Sequence, residues 1–243
     1  EDGETVQHFI FRPTFSPEYL RSHPYIVHLV GFKPGLLRRI GGFDENLRIS
    51  QNYDLILRAS EQAKTITHIP EMLYRWRIHG NSAGHRMIGQ VMETSRAILQ
   101  RHLQRCGEAG EVHEGPSFNY FDVRYPLAPG LKVAIVIPTK NHGDLVRACI
   151  ESIERTAGDA VYEIVLIDHE SDDPVSLACF ESLGSRVTLL RYSGPFNFAA
   201  LNNWAVAQLD GSHTHYLFCN NDIEAIAPGW LERMLELGQR PDV

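Results

Sequence analysis

The chain has 243 residues, 43% of them hydrophobic, which is enough to bury a core in one large or two small domains. Its formal net charge of -7 at pH 7 gives no basic field of the kind that attracts nucleic acid, so we expect no nucleic-acid partner. No apolar stretch reaches the roughly 20 residues of a membrane helix, so we expect no membrane span.

The cysteines predict a reducing environment. Cys106, Cys149, Cys179 and Cys219 are scattered singly, and no CxxC pair or disulfide-like spacing occurs. We therefore expect reduced, mostly buried thiols and a cytoplasmic protein. Any contact with the inner face of the membrane would then come through a partner or a lipid-linked substrate.

The first region, residues 1–85, is predicted to mix short helices with extended segments. Residues 34–40 predict a short helix that Gly41 and Gly42 end, and the apolar positions of residues 53–60 predict a second helix. Three further segments are predicted as strands or extended chain, at residues 26–30, 66–69 and 72–77.

The middle region, residues 86–131, is predicted to hold one amphipathic helix and a connector. Apolar residues recur at helical spacing over residues 86–105. Residues 106–116 are rich in glycine and glutamate and show no periodicity, so they are interpreted as a connector. Residues 123–130 then lead into the next region.

The last region, residues 132–243, predicts a regular alternation of strands and helices. Each of four apolar runs is followed by a helical pattern; the runs are residues 133–137, 163–167, 187–191 and 215–219. Repeated strand–helix units imply right-handed crossovers and parallel pairing. We therefore predict an α/β fold with a doubly wound, mostly parallel sheet.

Polar side chains follow three of these strands where each strand ends. Asn141, Asp168 and Asp222 lie in such clusters. The carboxyl ends of parallel strands meet at one edge, where open α/β sheets bind ligands. Since neither G-x-G-x-x-G nor the P-loop pattern occurs, we expect a divalent metal and side chains to hold a diphosphate there.

Four segments of this region carry a resemblance to a known family. They are Val136–Asn141, Ile167–Asp173, Gly194–Asn203 and Asn220–Glu224, and Pro228–Leu231 follows them. Together they closely resemble the nucleotide-binding half of family 2 glycosyltransferases, which have the GT-A fold. The resemblance implies a nucleotide-diphospho-sugar donor of the UDP or dTDP type, a saccharide or lipid-linked acceptor, and Mg²⁺ or Mn²⁺ as cofactor.

The first region resembles the other half of the same family. Its matching segments are Gly41–Glu45, Tyr53–Arg58, His68–Pro70 and Leu73–His79. Because this acceptor-side half normally follows the nucleotide-binding half, the two halves occur here in inverted order. We interpret the chain as a piece cut from a tandem protein of surface-polysaccharide or O-antigen synthesis: the end of one module (1–85), a linker (86–131) and the start of the next (132–243).

The resemblance also implies roles for individual residues. It implies that the donor nucleotide is bound by Pro138, Thr139, Asp168, Ser171 and Asp222. It assigns the metal to Asp222, the last acidic residue of a DxD-like motif whose first position is Asn220, with Glu224 or water completing the shell and His79 nearby. The alternative for Asp168 is a turn residue that caps the following helix, and for His79 a structural histidine.

The catalytic base is the least defined position. The family supplies it from an acidic pair that here reads Gln51-Asn52, and an amide cannot accept a proton. Asp54 is the nearest carboxylate and our candidate base, but it also has the spacing of an i,i+4 ion pair with Arg58. Two functions follow: an inverting, metal-dependent glycosyltransferase, or a catalytically silent module that binds nucleotide sugars or serves as a scaffold.

Overall fold

The computed structural model describes residues 10–74 and 87–241. The chain divides into two compact units, one ending at Pro126 and the other beginning at Leu127. Each unit buries its own set of apolar side chains. Within the described residues, no helix combines the length and the apolar composition needed to cross a bilayer.

The first unit contains four described helices: α1 (Pro17–Ser22), α2 (Pro34–Arg39), α3 (Gln51–Gln62) and α4 (Ile88–Cys106). The Ser16 hydroxyl caps α1 by accepting the Tyr19 N–H, and Pro17 occupies its first position. Gly107 ends α4 in the left-handed conformation, with φ of 72°. The helices predicted at residues 34–40, 53–60 and 86–105 are confirmed.

Helices α3 and α4 pack against each other through their apolar faces. Leu57 of α3 and Ile98 and Leu103 of α4 are essentially inaccessible to solvent. The hydroxyls of Ser50 and Ser95 lie 2.8 Å apart and join the start of α3 to the middle of α4. Burial of these faces supplies most of the stability of two helices whose propensities alone would be marginal.

Residues 26–30 form no strand. Residues 66–69 and the described residues 72–74 form none either, so of the two alternatives predicted for these segments only extended chain remains. The predicted connector instead leads into an antiparallel hairpin of β1 (Glu111–Glu114) and β2 (Phe121–Arg124), in which Val112 lies opposite Val123. Four-residue strands give too few alternations for a period of two to stand out from the surrounding glycine and glutamate.

The second unit alternates strands and helices as predicted. Its elements in chain order are β3 (Val133–Thr139), α5 (Gly143–Thr156), β4 (Tyr162–His169), α6 (Pro174–Leu183), β5 (Thr188–Tyr192), α7 (Phe198–Gln208), β6 (His215–Phe218) and α8 (Trp230–Gly238). The strands form one parallel sheet in the order β5-β4-β3-β6. All four predicted strands are confirmed.

The sheet is covered on both faces, which explains the continuous apolar runs of its central strands. On one face, Val133, Ile135 and Ile137 of β3 pack in a cluster with side chains of α5, α6 and α8. On the other face, Ala134 and Val136 pack in a cluster with Leu201 and Ala205 of α7. The strand β3 is therefore buried from both sides, and its carboxyl end lies between those of β4 and β6.

A glycine sets the separation of α5 and α6. A Cβ atom added to Gly143 would lie 2.9 Å from both Ser176 Cα and Cys179 Cβ. We expect Gly143→Ala to destabilise the second unit by about 1–3 kcal/mol, because overpacking forces the helices apart. The measurement is urea unfolding, with hydrogen exchange of peptides from α5 and α6 as the local readout.

The matched control is Gly89→Ala in α4, where an added Cβ atom would meet no atom within 4 Å. This change should be neutral or should stabilise the helix by up to about 1 kcal/mol. Equal stabilities of Gly143→Ala and the unsubstituted protein would show that the two helices can shift without cost.

Candidate functional site

The loops after β4 and β6 meet at the carboxyl end of β3. The β3–β4 register places Asp168 beside Thr139. On the other side of β3, the Asn221 amide donates a hydrogen bond of 2.9 Å to the Thr139 hydroxyl. The segments predicted to contain nucleotide and metal ligands are therefore neighbours at one edge of the sheet.

Thr139 holds the turn that follows β3. Its side chain is buried, and its hydroxyl donates to the Asn141 carbonyl at 2.9 Å while accepting the Asn221 hydrogen bond. Asn141 and His142 then adopt positive φ values of 59° and 56°. The Thr139 hydroxyl thus donates one hydrogen bond and accepts another within the protein. A nucleotide would therefore contact the backbone of this turn, or the half-buried Pro138 ring, more readily than the Thr139 hydroxyl.

Asn141 ties the β3 turn to the β4 turn. Its backbone N–H donates to the Ser171 hydroxyl at 2.7 Å. Its side-chain oxygen accepts the backbone N–H groups of Asp172 and Asp173, both at 2.9 Å. Asp173 caps α6 through Ser176, whose hydroxyl and backbone N–H hold the pKa of the Asp173 carboxyl below its usual value. The two turns thus form one connected rim.

Asp168 is buried at this rim. One oxygen of its carboxylate accepts the Ser171 N–H at 3.1 Å, which is the turn interaction that the sequence left open as an alternative. The contact fixes the direction of the carboxylate and links Asp168 to Ser171. A role of either residue in binding a nucleotide stays a prediction.

His169 and Glu170 hold a second loop beside the rim. The buried His169 ring donates to the Gly194 carbonyl at 2.8 Å, and the Glu170 carboxylate accepts the Gly194 N–H at 3.2 Å. The exposed Phe196 ring lies 5.7 Å from the His169 ring. The sequence analysis did not predict these contacts to the Gly194 loop. Their only sign in the sequence is the His169-Glu170 pair in the turn after β4.

The DxD-like segment lies in the loop after β6. Asp222 is exposed, and no hydrogen bond or ion pair engages its carboxylate within the described part of the chain. The neighbouring Asn220 side chain is also exposed and offers an amide oxygen. One free carboxylate with an amide oxygen nearby fits a hard divalent cation that keeps several of its waters.

Glu224 has a partner within the protein. Its carboxylate forms an ion pair with Arg155 at 3.2 Å, and both side chains are largely exposed. Such a surface pair contributes little free energy, so a metal could displace Arg155 at small cost. The assignment of Glu224 as a metal ligand stays a prediction.

Helix α5 anchors the rest of this loop. The Ser152 hydroxyl accepts the Ala225 N–H at 2.9 Å, and the Trp230 indole donates to the Thr156 hydroxyl at 3.1 Å. The Thr156 carbonyl also accepts the Gly229 N–H at 3.0 Å. The anchor fixes the backbone on the carboxyl-terminal side of Asp222, whereas Asn221 fixes it on the other side.

Two thiols lie under the same loop. Cys219 and Cys149 both direct their sulfur atoms at the Asn220 carbonyl, at 3.3 Å and 3.7 Å. A hydrogen bond between the two thiols, burial and the nearby Asp222 charge together raise the pKa of Cys219. The two thiols therefore support the loop through their hydrogen bonds to the Asn220 carbonyl.

Two other predicted site residues belong to the first region of the sequence, residues 1–85. Asp54 belongs to the first unit and is buried, with Arg58 donating to its carboxylate at 2.8 Å and 2.5 Å. Arg58 also donates to the carbonyls of Ile40 and Gly42, so the pair joins α3 to the chain before it. These contacts support the structural alternative for Asp54. His79 lies outside the described residues.

Comparison with known proteins places the second unit in a family. Residues 134–243 match the model described as Glycosyl transferase family 2. The chain is 35% identical over 250 residues to the O-antigen biosynthesis protein RfbC of Myxococcus xanthus, covering 100% of this chain and 19% of RfbC. It is 36% identical over 241 residues to protein y4gI of Sinorhizobium fredii, covering 96% of this chain and 26% of y4gI. The chain thus spans between a fifth and about a quarter of the lengths of these curated relatives.

Among solved structures, TarS of S. aureus matches 38% of this chain and 17% of its own, with 21% identity and a TM-score of 0.31. The parallel sheet with helices on both faces, together with the family match, confirms the predicted α/β fold of GT-A type for the second unit. Residues 134–243 thus form a domain of glycosyl transferase family 2.

Proposed function

We propose that this chain is part of an inverting, metal-dependent glycosyltransferase that transfers a sugar from a nucleotide-diphosphate donor. In this proposal residues 132–243 are the donor-binding half, and the donor is of the UDP or dTDP type. The observation that carries the proposal is the exposed Asp222 carboxylate, which no residue in 10–74 or 87–241 engages and which Asn221 and Thr139 hold beside Asp168 at the carboxyl edge of the sheet.

Each part of the rim has a task in the proposal. Mg²⁺ or Mn²⁺ would be held by Asp222, with Glu224 or water, and would offset the charge that develops on the diphosphate as the glycosidic bond breaks. Asp168 and Ser171 would contact the ribose or base, and Pro138 would lie against the base. The Thr139–Asn221 hydrogen bond would keep the distance between the two loops constant, so that little ordering is needed when the donor binds.

The family context suggests where the reaction belongs. We propose that residues 1–85 are the acceptor-side half of a preceding module and residues 86–131 a linker, which gives the inverted order of the halves. The name of the Myxococcus relative supports a role in O-antigen or related polysaccharide synthesis, with a saccharide or lipid-linked acceptor. A cytoplasmic location, peripheral to the inner face of the membrane, would give access to such an acceptor.

A second candidate function has one specific observation in its favour. Asn52, where the family supplies a carboxylate, lines a cavity of about 90 Å³ together with Phe43 and Ile56. The only carboxylate two residues away, Asp54, is buried and paired with Arg58. A module with no free base in this segment would bind nucleotide sugars without transferring them, or would serve as a scaffold.

Calorimetric titration tests donor binding directly. We expect UDP or dTDP to bind in the presence of Mn²⁺ and to bind at least tenfold more weakly when EDTA removes the metal, since the cation would offset the negative charge of the diphosphate. GDP is the base control and UMP the phosphate control. The proposal would be ruled out if none of UDP, dTDP and GDP bound, or if they bound equally well with and without Mn²⁺. Release of the nucleoside diphosphate from a bound sugar donor then separates a transferase from a silent module.

A further inference from the structure

A second cluster of metal-ligating side chains lies in the first unit, whereas the Asp222 loop belongs to the second. His102 and Cys106 are four residues apart on α4 and therefore lie on one face, one turn from each other. Glu61, near the end of α3, faces them from the neighbouring helix. One ligand atom from each of the three residues lies within 4.8 Å of the others.

We propose that Glu61, His102 and Cys106 bind a Zn²⁺ ion, with water as the fourth ligand. The proposal goes beyond the glycosyltransferase function and does not depend on it. Nitrogen, sulfur and oxygen donors in one set suit zinc, whereas Mg²⁺ and Ca²⁺ are bound through oxygen. Three protein ligands with one open position is a coordination that zinc adopts in proteins.

The ligand atoms are near enough to share one ion, but the sulfur must rotate to reach it. Cys106 Sγ lies 3.7 Å from His102 Nδ1 and 3.9 Å from His102 Nε2, so it lies beside the ring and not along the Nδ1 lone pair. Zinc bonds to sulfur and nitrogen at the tetrahedral angle would place Sγ and Nδ1 about 3.6 Å apart once the Cys106 side chain has turned. His102 Nδ1 and Glu61 Oε1 are 2.7 Å apart and share a hydrogen bond. A bound ion would take the place of the proton in this hydrogen bond and would increase the distance between the two atoms by about 0.6 Å.

Room and access are both present. A cavity of about 150 Å³ adjoins the cluster and is lined by apolar side chains, Leu20 and Leu57 among them, as well as by the three proposed ligands. One water needs about 30 Å³, so the cavity can hold the fourth ligand. His102 is buried, whereas Cys106 is exposed, which leaves a route for the ion to enter.

Two arginines adjoin the cluster and must be compatible with the ion. Arg105 donates to both carboxylate oxygens of Glu61, from Nε to Oε2 at 3.0 Å and from Nη2 to Oε1 at 2.7 Å. Zinc at Oε1 would displace the second bond, and Arg105 would keep the first, as is common for ligating carboxylates. Arg21 Nε lies 3.4 Å from His102 Nε2, and this long contact would also break. Arg21 keeps its ion pairs with Glu18 and Glu108.

The proton balance of binding is simple. The Cys106 thiol releases its proton to solvent and becomes a thiolate ligand. The His102 proton moves from Nδ1 to Nε2, and the imidazole stays neutral. Each bound zinc therefore releases one proton, and zinc affinity rises with pH.

Cobalt substitution tests the site in the full chain. After dialysis against a chelator, titration with Co²⁺ is expected to give a thiolate-to-cobalt charge-transfer band and strong visible bands of a four-coordinate ion, complete at one equivalent. Added Zn²⁺ should remove both. Only a cysteine ligand gives the charge-transfer band, so cobalt bound at the oxygen ligands around Asp222 does not interfere.

Matched variants assign the ligands. Cys106→Ser should lose the charge-transfer band, whereas Cys219→Ser, which removes one thiol of the other close pair, should keep it. Glu61→Gln and His102→Gln should each weaken cobalt binding at least about tenfold. His102 is buried, so loss of cobalt binding in its variant would also follow from unfolding. The decisive variant is therefore Cys106→Ser at an exposed position, and circular dichroism shows whether it is folded.

Three results would overturn the proposal. They are the absence of a charge-transfer band at any cobalt concentration, its persistence in Cys106→Ser, and a zinc stoichiometry unchanged by that variant in competition with a chromophoric chelator. In each case Glu61, His102 and Arg105 form an ion-pair network that joins α3 to α4 without a metal.

Discussion

Asp222→Asn is expected to remove the effect of Mn²⁺ on nucleoside-diphosphate binding. The change keeps the size of the side chain and removes only its charge, so the loop held by Asn221 and Ser152 should stay in place. In metal sites, even the loss of a residue that only supports a ligand lowers metal affinity by about 10- to 100-fold. Loss of the Asp222 carboxylate, a proposed ligand, should therefore weaken metal-supported binding at least about 100-fold, or about 2.8 kcal/mol. Calorimetry with UDP and Mn²⁺ measures it.

Two variants control for charge and for the second predicted ligand. Asp210→Asn removes an exposed carboxylate before β6, at the opposite end of that strand, and should leave binding unchanged. Glu224→Gln should cost less than Asp222→Asn, because Glu224 is already paired with Arg155. Metal-supported binding by Asp222→Asn at unsubstituted strength would remove Asp222 from the site.

The strands and helices of the second unit could be predicted from the sequence because each produces a pattern within a short segment, and the strand–helix pattern repeats along the chain. The strands β3 and β4 are covered on both faces, so each appears as an unbroken apolar run. A helix of clear period follows β3, and a looser helical pattern follows β4. The proximity of Asp168 and Asp222 to the same sheet edge followed from parallel pairing alone. No distance between particular atoms was needed for that step.

The contacts that shape the rim were beyond such reasoning. Asn221 binds the Thr139 hydroxyl across 82 residues of sequence, and His169 binds the Gly194 carbonyl across 25. Neither contact has a period or a motif, because hydrogen bonds of single side chains depend on the backbone that the whole fold creates. The β1–β2 hairpin was missed for a related reason, since its stability comes from packing of Val112 and Phe121 and not from a long alternation.

For Asp54, sequence reasoning left two roles open, and they predict opposite results for Asp54→Asn. The carboxylate is buried and its partner Arg58 is largely buried, so removal of the charge leaves an uncompensated cation. Breaking a buried ion pair from one side costs about 3–5 kcal/mol. We expect the lower end, about 3 kcal/mol, because Arg58 keeps its bonds to the carbonyls of Ile40 and Gly42. Hydrogen exchange of peptides from α3 measures the loss locally.

A double-mutant cycle separates pairing from catalysis. In an Arg58→Met background the further change Asp54→Asn should cost far less than it does alone, since contacting residues of one ion pair are coupled. Glu93→Gln, an exposed carboxylate on α4, is the control and should change stability by less than about 0.5 kcal/mol. If Asp54→Asn were as stable as the unsubstituted protein, the carboxylate would be dispensable for folding, and a role as the base that accepts the acceptor proton would become the better explanation for a buried charge at this position.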